Sequence, residues 1–433
     1  MALTRRSFLS ALAALPFAQG NQVAVDGATL RARLEALSVF GRPAGGTFAD
    51  GVSRVAYSDA DVAGRRYVVQ LMTAAGLTPR IDPAGNIYGR RAGRDLPPIL
   101  FGSHIDSVPS GGNFDGDLGS LAALGAIETL DAGRITTRHP LEMVIWAHEE
   151  GVAFGRGLAG SRIVAGDLKD GDLDQVWNGL RRADGIRKIG GNPDRIAEAR
   201  REKGSLHAYL ELHIEQGGYL ERANVPVGVV EGIVSIDRYE ATITGFANHA
   251  GTTPMHERQD ALLAASHLTI AVREIVTREQ GRQVGTVGRL DVKPNAANVI
   301  PGAVSLTIEL RDLSTAKLRT LAEAIRARAA RIAADTKTTI QIERSSENPP
   351  ALASAPVQDA IERASGRLGL KTMRMPSGAG HDAQMMAQLG PMGMIFVPSV
   401  GGISHSPKEL THWTDCVNGA NVLVGAILEV DRT

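Results

Sequence analysis

Four apolar runs of strand length in this chain each stop at a histidine or a carboxylate: "PPILFGSHID" (97–106), "LEMVIWAHEEG" (141–151), "AYLELHIEQGG" (208–218) and "MGMIFVPSVGG" (392–402), the last continuing into "ISHSPKE". Segments this apolar bury both faces, as the strands of a helix-covered sheet do. Helical patterns such as "LGSLAALGAIETLDAG" (118–133) separate them, and the alternation predicts an α/β fold with a mixed, largely buried sheet flanked by helices. Open sheets of this kind build their sites beyond the carboxyl ends of the strands. His104 with Asp106, Glu149 with Glu150, His213 with Glu215, and His405 all fall there.

From about residue 229 the rhythm changes. "SIDRYEATITGF", "DALLAASHLTIAVREIVTRE", "GTVGRLDVKP", "AVSLTIELRD", "AKLRTLAEAIRARAARIAA" and "TTIQIER" read β-α-β-β-α-β, the ferredoxin-like order. The pattern predicts an inserted α+β domain over 229–345 between two parts of a first domain, 21–228 and 346–433, with "SSENPPALASAP" as the return linker. Residues 1–20 carry Arg5-Arg6 ahead of an apolar stretch too short to span a bilayer of about 30 Å. They read as a twin-arginine export signal, with a frayed N-terminal helix as the other reading. A signal predicts a periplasmic protein with no stable membrane anchor; otherwise the chain is cytoplasmic.

Charge and cysteine content narrow the chemistry. Lys plus Arg and Asp plus Glu both total 47 and no basic block stands out, which argues against nucleic acid and for a small-molecule partner. Cys416 is the single cysteine, so an internal disulfide and a thiolate metal site are excluded and any metal must be held by histidine and carboxylate. One histidine at a strand end would read as a structural residue; four converging clusters point to metal. Two cations about 3.5–4 Å apart require a shared carboxylate. In "GSHIDSVPSGGNFDG" the glycines let the loop bring Asp115 back toward His104, which makes Asp115 the candidate bridge, while Asp106 is placed to fix the His104 tautomer. Adjacent Glu149 and Glu150 fit a division into proton acceptor and ligand. His139, His148, His207, His256, His267 and His412 read as structural or surface groups, and the methionines of "HDAQMMAQLGPMGM" as core packing.

"GSHIDSVPSGGNFDGDLG", "AHEEGVAFGRGLAGSR", "LELHIEQGGYLE", "GFANHAGTTPM", "NAANVIPG", "LRD", "SGAGHDA" and "GGISHSPKE" together resemble, in order and from about residue 30 onward, the amidohydrolase branch of the dinuclear-metal aminoacylase and carboxypeptidase superfamily. That branch holds N-carbamoyl-L-amino-acid hydrolases, allantoate amidohydrolases and β-ureidopropionases. The resemblance implies a metallopeptidase-like catalytic domain whose insertion is a lid and dimerisation domain. It implies two divalent ions, Zn²⁺ or Mn²⁺ with Co²⁺ or Ni²⁺ as further options, His104 and His213 serving one, Glu150 and His405 the other, and Asp115 bridging. Glu149 would be the general base and Gln216 would contact substrate. His249 would reach the substrate carbonyl across a homodimer and stabilise its developing charge, Asn298 and Arg311 would hold an α-carboxylate, also from across the interface if the dimer is so arranged, and Gly380 and His381, with Asp382, would line the pocket.

The implied reaction is hydrolysis of a linear, non-peptide C–N bond, with an N-carbamoyl-L-amino acid as first choice of substrate and allantoate as second. Peptidases and acylases of the superfamily are a further alternative, but peptidases carry the bridging aspartate much later, in a "D-x-K-G-G" context. A non-catalytic periplasmic ligand-binding protein is the remaining one.

Overall fold

The computed structural model describes residues 23–433; the expected leader, 1–20, lies outside them. Helices α1 (Gly27–Leu37) and α2 (Asp59–Ala74) precede strands β1 (Ile87–Arg91) and β2 (Ile99–His104). Helix α3 (Asp117–Ala132) then leads to β3 (Leu141–Trp146), β4 (Ala208–Ile214) and β5 (Val227–Ile233). The inserted domain comprises β6 (Ser235–Thr244), α4 (Ala261–Arg278), β7 (Val284–Lys293), β8 (Ala303–Asp312), α5 (Thr315–Thr336) and β9 (Thr339–Asn348). The chain returns through α6 (Ala355–Arg367), β10 (Thr372–Ser377), β11 (Met392–Val397) and α7 (Trp413–Val430). Among the described residues no helix is long and apolar enough to cross a membrane.

The large sheet runs β1-β3-β2-β4-β11-β5, with β10 and Ala351–Leu352 along β5 and Arg80–Ile81 beyond β1. It is mixed: β2 is parallel to β3 and β4, and β4 to β11, whereas β1 and β5 run antiparallel to their neighbours β3 and β11. Every residue of β2, β3, β4 and β11 is buried, as apolar runs covered on both faces require. Helix α3 is the main cover, with Leu118, Leu121, Leu124, Ile127 and Leu130 fully buried, each stabilising the fold by about 1.5–3 kcal/mol. Its first turn is tied down by Arg54, itself without exposed surface, which pairs with Asp117 and donates to the carbonyls of Leu37, Phe40 and Ile105.

The inserted domain has the sheet order β7-β8-β6-β9, antiparallel throughout, so its β-α-β-β-α-β sequence closes into the ferredoxin-like arrangement. Burial alternates along β8: Val304, Leu306, Ile308 and Leu310 face the core with α4 and α5, while Thr307, Glu309 and Arg311 occupy the opposite face. The boundary differs from the expected 229. β5 pairs with β10 and β11, so residues through Ile233 belong to the large sheet, and only Val234 separates it from β6. At the other end β9 continues past 345 to Asn348 because it stays paired with β6.

Candidate dinuclear metal centre

The site is assembled where adjacent strands end. His104 closes β2, and Trp146 stands opposite it on parallel β3, so the turn beyond carries Glu149 and Glu150 to the same level. His213 lies near the end of β4, opposite Phe396 of β11, and the loop after β11 supplies His405. Asp115 comes from the glycine-rich turn that ends at Gly116, the N-cap of α3.

Donor atoms of His104, Asp115 and His213 lie within 4.8 Å of one another, and those of Asp115, Glu150 and His405 do the same. Asp115 is common to both sets. Its Oδ1 stands 3.5 Å from Nε2 of His104 and 3.1 Å from Nε2 of His213, and its Oδ2 stands 3.4 Å from Nε2 of His405. Nε2 of His405 is also 3.4 Å from Glu150. Glu149 belongs to neither set, although its Oε2 is 3.8 Å from Nε2 of His104.

The donor chemistry fits cations. Nδ1 of His104 is 3.0 Å from the carbonyl of Asp106, and Nδ1 of His213 is 3.0 Å from that of Ile214. A carbonyl only accepts, so each Nδ1 carries the proton and each Nε2 turns a lone pair toward the Asp115 carboxylate. Nε2 of His213 is buried and has no hydrogen-bond partner. Lone pairs facing a carboxylate at these distances call for a positive ion between them, or for protons in its place.

The protonation pattern of the chain alone follows from that. Burial pushes Glu149 well above the ordinary carboxylate range, with Asp382, Glu150 and Asp106 adding to the rise and His104 opposing it. Glu150 is pushed up to about 8, first by burial and then by Asp115. His405 rises to about 9, chiefly through its bond to Asp115. Burial alone would raise Asp115, but His213, His104 and His405 together hold it well below its usual value.

Asp106 acts differently from the sequence expectation. Its main-chain carbonyl, not its carboxylate, fixes the His104 tautomer; the nearest carboxylate oxygen is 3.9 Å from that ring nitrogen. The carboxylate instead accepts the amides of Glu149 at 3.0 Å and Glu150 at 3.2 Å, so it pins the turn that presents both glutamates. An i, i+2 spacing places either oxygen within reach, and the fold uses the side chain across to the next strand.

Gln216 donates to Oδ2 of Asp115 at 2.6 Å, so it braces the shared carboxylate in addition to standing at the site. Sequence reasoning missed Glu409. Its carboxylate accepts the amides of Phe114 at 2.9 Å and Asp115 at 3.1 Å and the hydroxyl of Ser404 at 2.8 Å, fastening the Asp115 loop to the His405 loop. The available signal was its place four residues after His405 in "SHSPKE". Glu211, His213 and His381 also converge. Glu211 is already satisfied by Ser103, Tyr209 and the Ala383 amide, so this cluster is a hydrogen-bonded floor.

Two expectations about the pocket change accordingly. His381 is buried, bonds to Ser377 at 2.9 Å and packs edge-on against the His213 ring, while Asp382 is buried and bonds to Ser161; both lie behind the candidate ligands, and of that loop Gly378 and Gly380 are exposed. Asn298 and Arg311 do not meet within one chain. Arg311 pairs in register with Ile236 at the hinge end of β8, whereas Ala303, eight residues back and roughly 27 Å away at about 3.4 Å per residue, pairs with Thr244 near the tip. Asn298 belongs to that tip, where its carbonyl accepts the Ala250 amide and the next residue pairs with His249. His249 and Asn298 are both exposed. Nδ1 of His249 accepts the amides of Gly251 and Thr252, which leaves Nε2 as a hydrogen-bond donor. Arg311 forms an ion pair with Glu309, rather than with Asp312.

Comparison with known proteins gives the same direction. A model of the peptidase family M20/M25/M40 matches residues 100–429. An N-carbamoyl-L-amino acid amidohydrolase of Geobacillus stearothermophilus is 40% identical over 409 residues, 94% of this chain and 99% of that protein. An allantoate amidohydrolase of Escherichia coli is 36% identical over 393 residues, 89% of this chain and 94% of that protein. Among solved structures, a hydantoinase/carbamoylase-family amidase from Burkholderia multivorans superposes with a TM-score of 0.86 at 38% identity, covering 95% of this chain and 99% of that one.

Proposed function

This chain belongs to peptidase family M20/M25/M40 and is a metal-dependent hydrolase of non-peptide carbon–nitrogen bonds, and on that footing we propose that it opens the ureido group of a small-molecule N-carbamoyl-L-amino acid, releasing the amino acid, carbon dioxide and ammonia. The observation that carries the reading is the pair of donor sets sharing Asp115 beside a buried carboxylate, Glu149, that belongs to neither. His104 and His213 would hold one divalent ion, Glu150 and His405 the other, and Asp115 both, Zn²⁺ or Mn²⁺ being first choice for such donors and Co²⁺ or Ni²⁺ further options. When bound, such a pair supplies an acidified water and polarises the substrate carbonyl oxygen. Glu149 accepts the proton of the attacking water and returns it to the departing nitrogen. Arg311 holds the α-carboxylate through its planar fork, and the inserted domain closes over the site to exclude bulk water.

His249 and Asn298 complete the site from a second copy of the chain. The strand separating them from Arg311 supports this, because one chain cannot bring both ends of β8 to a single small substrate. The exposed apolar residues Leu263 and Ile270 on α4, beside Val284 and Leu290 on the edge strand β7, support a homodimer through the inserted domain. His249→Ala and Glu149→Gln chains, each nearly inactive alone, are expected to regain activity in roughly a quarter of their sites once mixed and allowed to exchange subunits. No recovery in dimers shown to have exchanged would place His249 in its own chain's site. Arg5-Arg6 supports export to the periplasm, which fractionation of cells making the full chain, with and without those arginines, checks.

The defining experiment is ammonium release by metal-depleted protein given back Mn²⁺, Zn²⁺, Co²⁺ or Ni²⁺ with N-carbamoyl-L-amino acids, allantoate, N-carbamoyl-β-alanine, N-acetyl-amino acids or dipeptides. Metal-dependent ammonium is expected, greatest from an N-carbamoyl-L-amino acid. Preference for allantoate, itself a ureido compound, would move the assignment to that substrate. Free amine without ammonium would make it an acylase or peptidase, and inactivity on every compound would favour a binding protein.

A further inference from the structure

We infer that Glu309 is a positioning residue for recognition of the substrate's carboxylate, holding the Arg311 guanidinium in a fixed orientation and leaving part of its donor edge free. The inference rests on the reading of Arg311 given above and goes beyond it to a residue that never touches substrate. Oε1 of Glu309 accepts from Nε of Arg311 at 2.8 Å and stands 2.7 Å from Nη2 in the same ion pair. Nη1 of Arg311 donates across to the Gly378 carbonyl, in the catalytic-domain loop that continues to His381, at 2.6 Å. A guanidinium has five N–H donors. Two are hydrogen-bonded, Nη2 rests against the same Glu309 oxygen, and each terminal nitrogen keeps at least one donor for a ligand oxygen.

The rest of the surroundings favour this arrangement over a casual surface pair. Glu309 and Arg311 share one face of β8, and their side chains are only 21% and 28% exposed. Arg238 stands directly opposite Glu309 on β6 and donates to its other oxygen at 2.6 Å. One carboxylate thus lies between two guanidiniums, leaving the group with one net positive charge. Burial would raise the Glu309 carboxyl, but the bonds from Arg238 and Arg311 outweigh it and hold it below its usual range. Without Glu309, Arg311 and Arg238 would be diagonal like-charge neighbours on the same face, and Arg311 would have only Gly378 to define its direction.

The test uses the full-length, metal-loaded enzyme with N-carbamoyl-L-leucine and with the matching carboxamide, which lacks the negative charge. Glu309→Ala is expected to raise KM for the carboxylate substrate about three- to tenfold with kcat little changed, since the substrate must then order a mobile side chain. Glu309→Gln keeps an acceptor oxygen for Arg311 and is expected to stay within about twofold of wild type. Neither variant should alter kcat/KM for the carboxamide by more than about twofold. Equal losses on both substrates, or an unchanged KM in Glu309→Ala while Arg311→Met raises it, would overturn the role of Glu309. An unchanged KM in Arg311→Met would overturn the reading of Arg311 itself, and the inference with it.

Discussion

Glutamine in place of Glu149 is expected to lower kcat by about 10²–10⁴-fold, the range that general acid–base catalysis supplies, while both metal ions remain bound. The side chain stands beside His104, yet it is absent from both donor sets, so its loss should leave the ligands intact. Its position does not depend on its charge: the Glu149 amide is held by Asp106 and its carbonyl by the Leu158 amide. Glutamine has the same shape and keeps that turn in place, but it cannot take a proton from water. The variant therefore removes one chemical property and little else. Three measurements on the same preparation decide it: kcat, KM and metal per chain. Full turnover would remove Glu149 from the base role, and loss of an ion together with activity would make it a ligand instead.

The four strand-end clusters were legible in the sequence for a physical reason. A strand buried on both faces must be apolar, so the first polar residue after it marks the strand end, and in a parallel arrangement several such ends lie side by side. His104, Glu149, Glu150 and His213 follow that rule directly. Glu409 does not, because it works through a loop that packs back onto Phe114 and Asp115 from nearly three hundred residues away in the chain. Nothing local distinguishes such an acid from a solvated one. Asp106 was recognised as a neighbour of His104, but spacing cannot tell a main-chain oxygen from a side-chain oxygen as the acceptor.

The inserted domain was legible through its alternating strands and long helices, but its first boundary was not. β5 and β6 meet with only Val234 between them, and the chain crosses from one sheet to the other without Pro or Asn to signal a turn, the nearby Gly232 lying inside β5. The separation of Asn298 from Arg311 illustrates a different limit. Thirteen residues apart reads as proximity, yet an extended strand lies between them, so nearness in sequence became distance in space. The same strand is the observation behind the proposal that a second copy completes the site.

Alanine at Gly116 is expected to disable the centre without unfolding the protein. Gly116 adopts φ +69°, and a Cβ there would lie 2.4 Å from Cε1 and 2.5 Å from each nitrogen of the His104 ring. That ring cannot simply step aside, because its Nδ1 is bonded to the Asp106 carbonyl and the residue is the last of fully buried β2. Helix α3 cannot retreat either: its first turn is bound to buried Arg54 and its apolar side chains fill the core. The least costly response is displacement of Asp115 and Gly116 together, which spoils the shared carboxylate. A misplacement of about 1 Å at reacting groups can cost about 10²-fold in rate, so kcat/KM should fall at least that far, with fewer than two ions retained per chain. Positive φ alone costs alanine on the order of 1–3 kcal/mol, and Gly45→Ala isolates that contribution. Gly45 has φ +73° with nothing within 4 Å of the added carbon. Gly45→Ala should lose a little stability and no activity. Equal behaviour of the two variants would mean that backbone strain, not the fit of Gly116 against His104, sets the response; two ions and wild-type turnover in Gly116→Ala would mean that the loop can accommodate a side chain there.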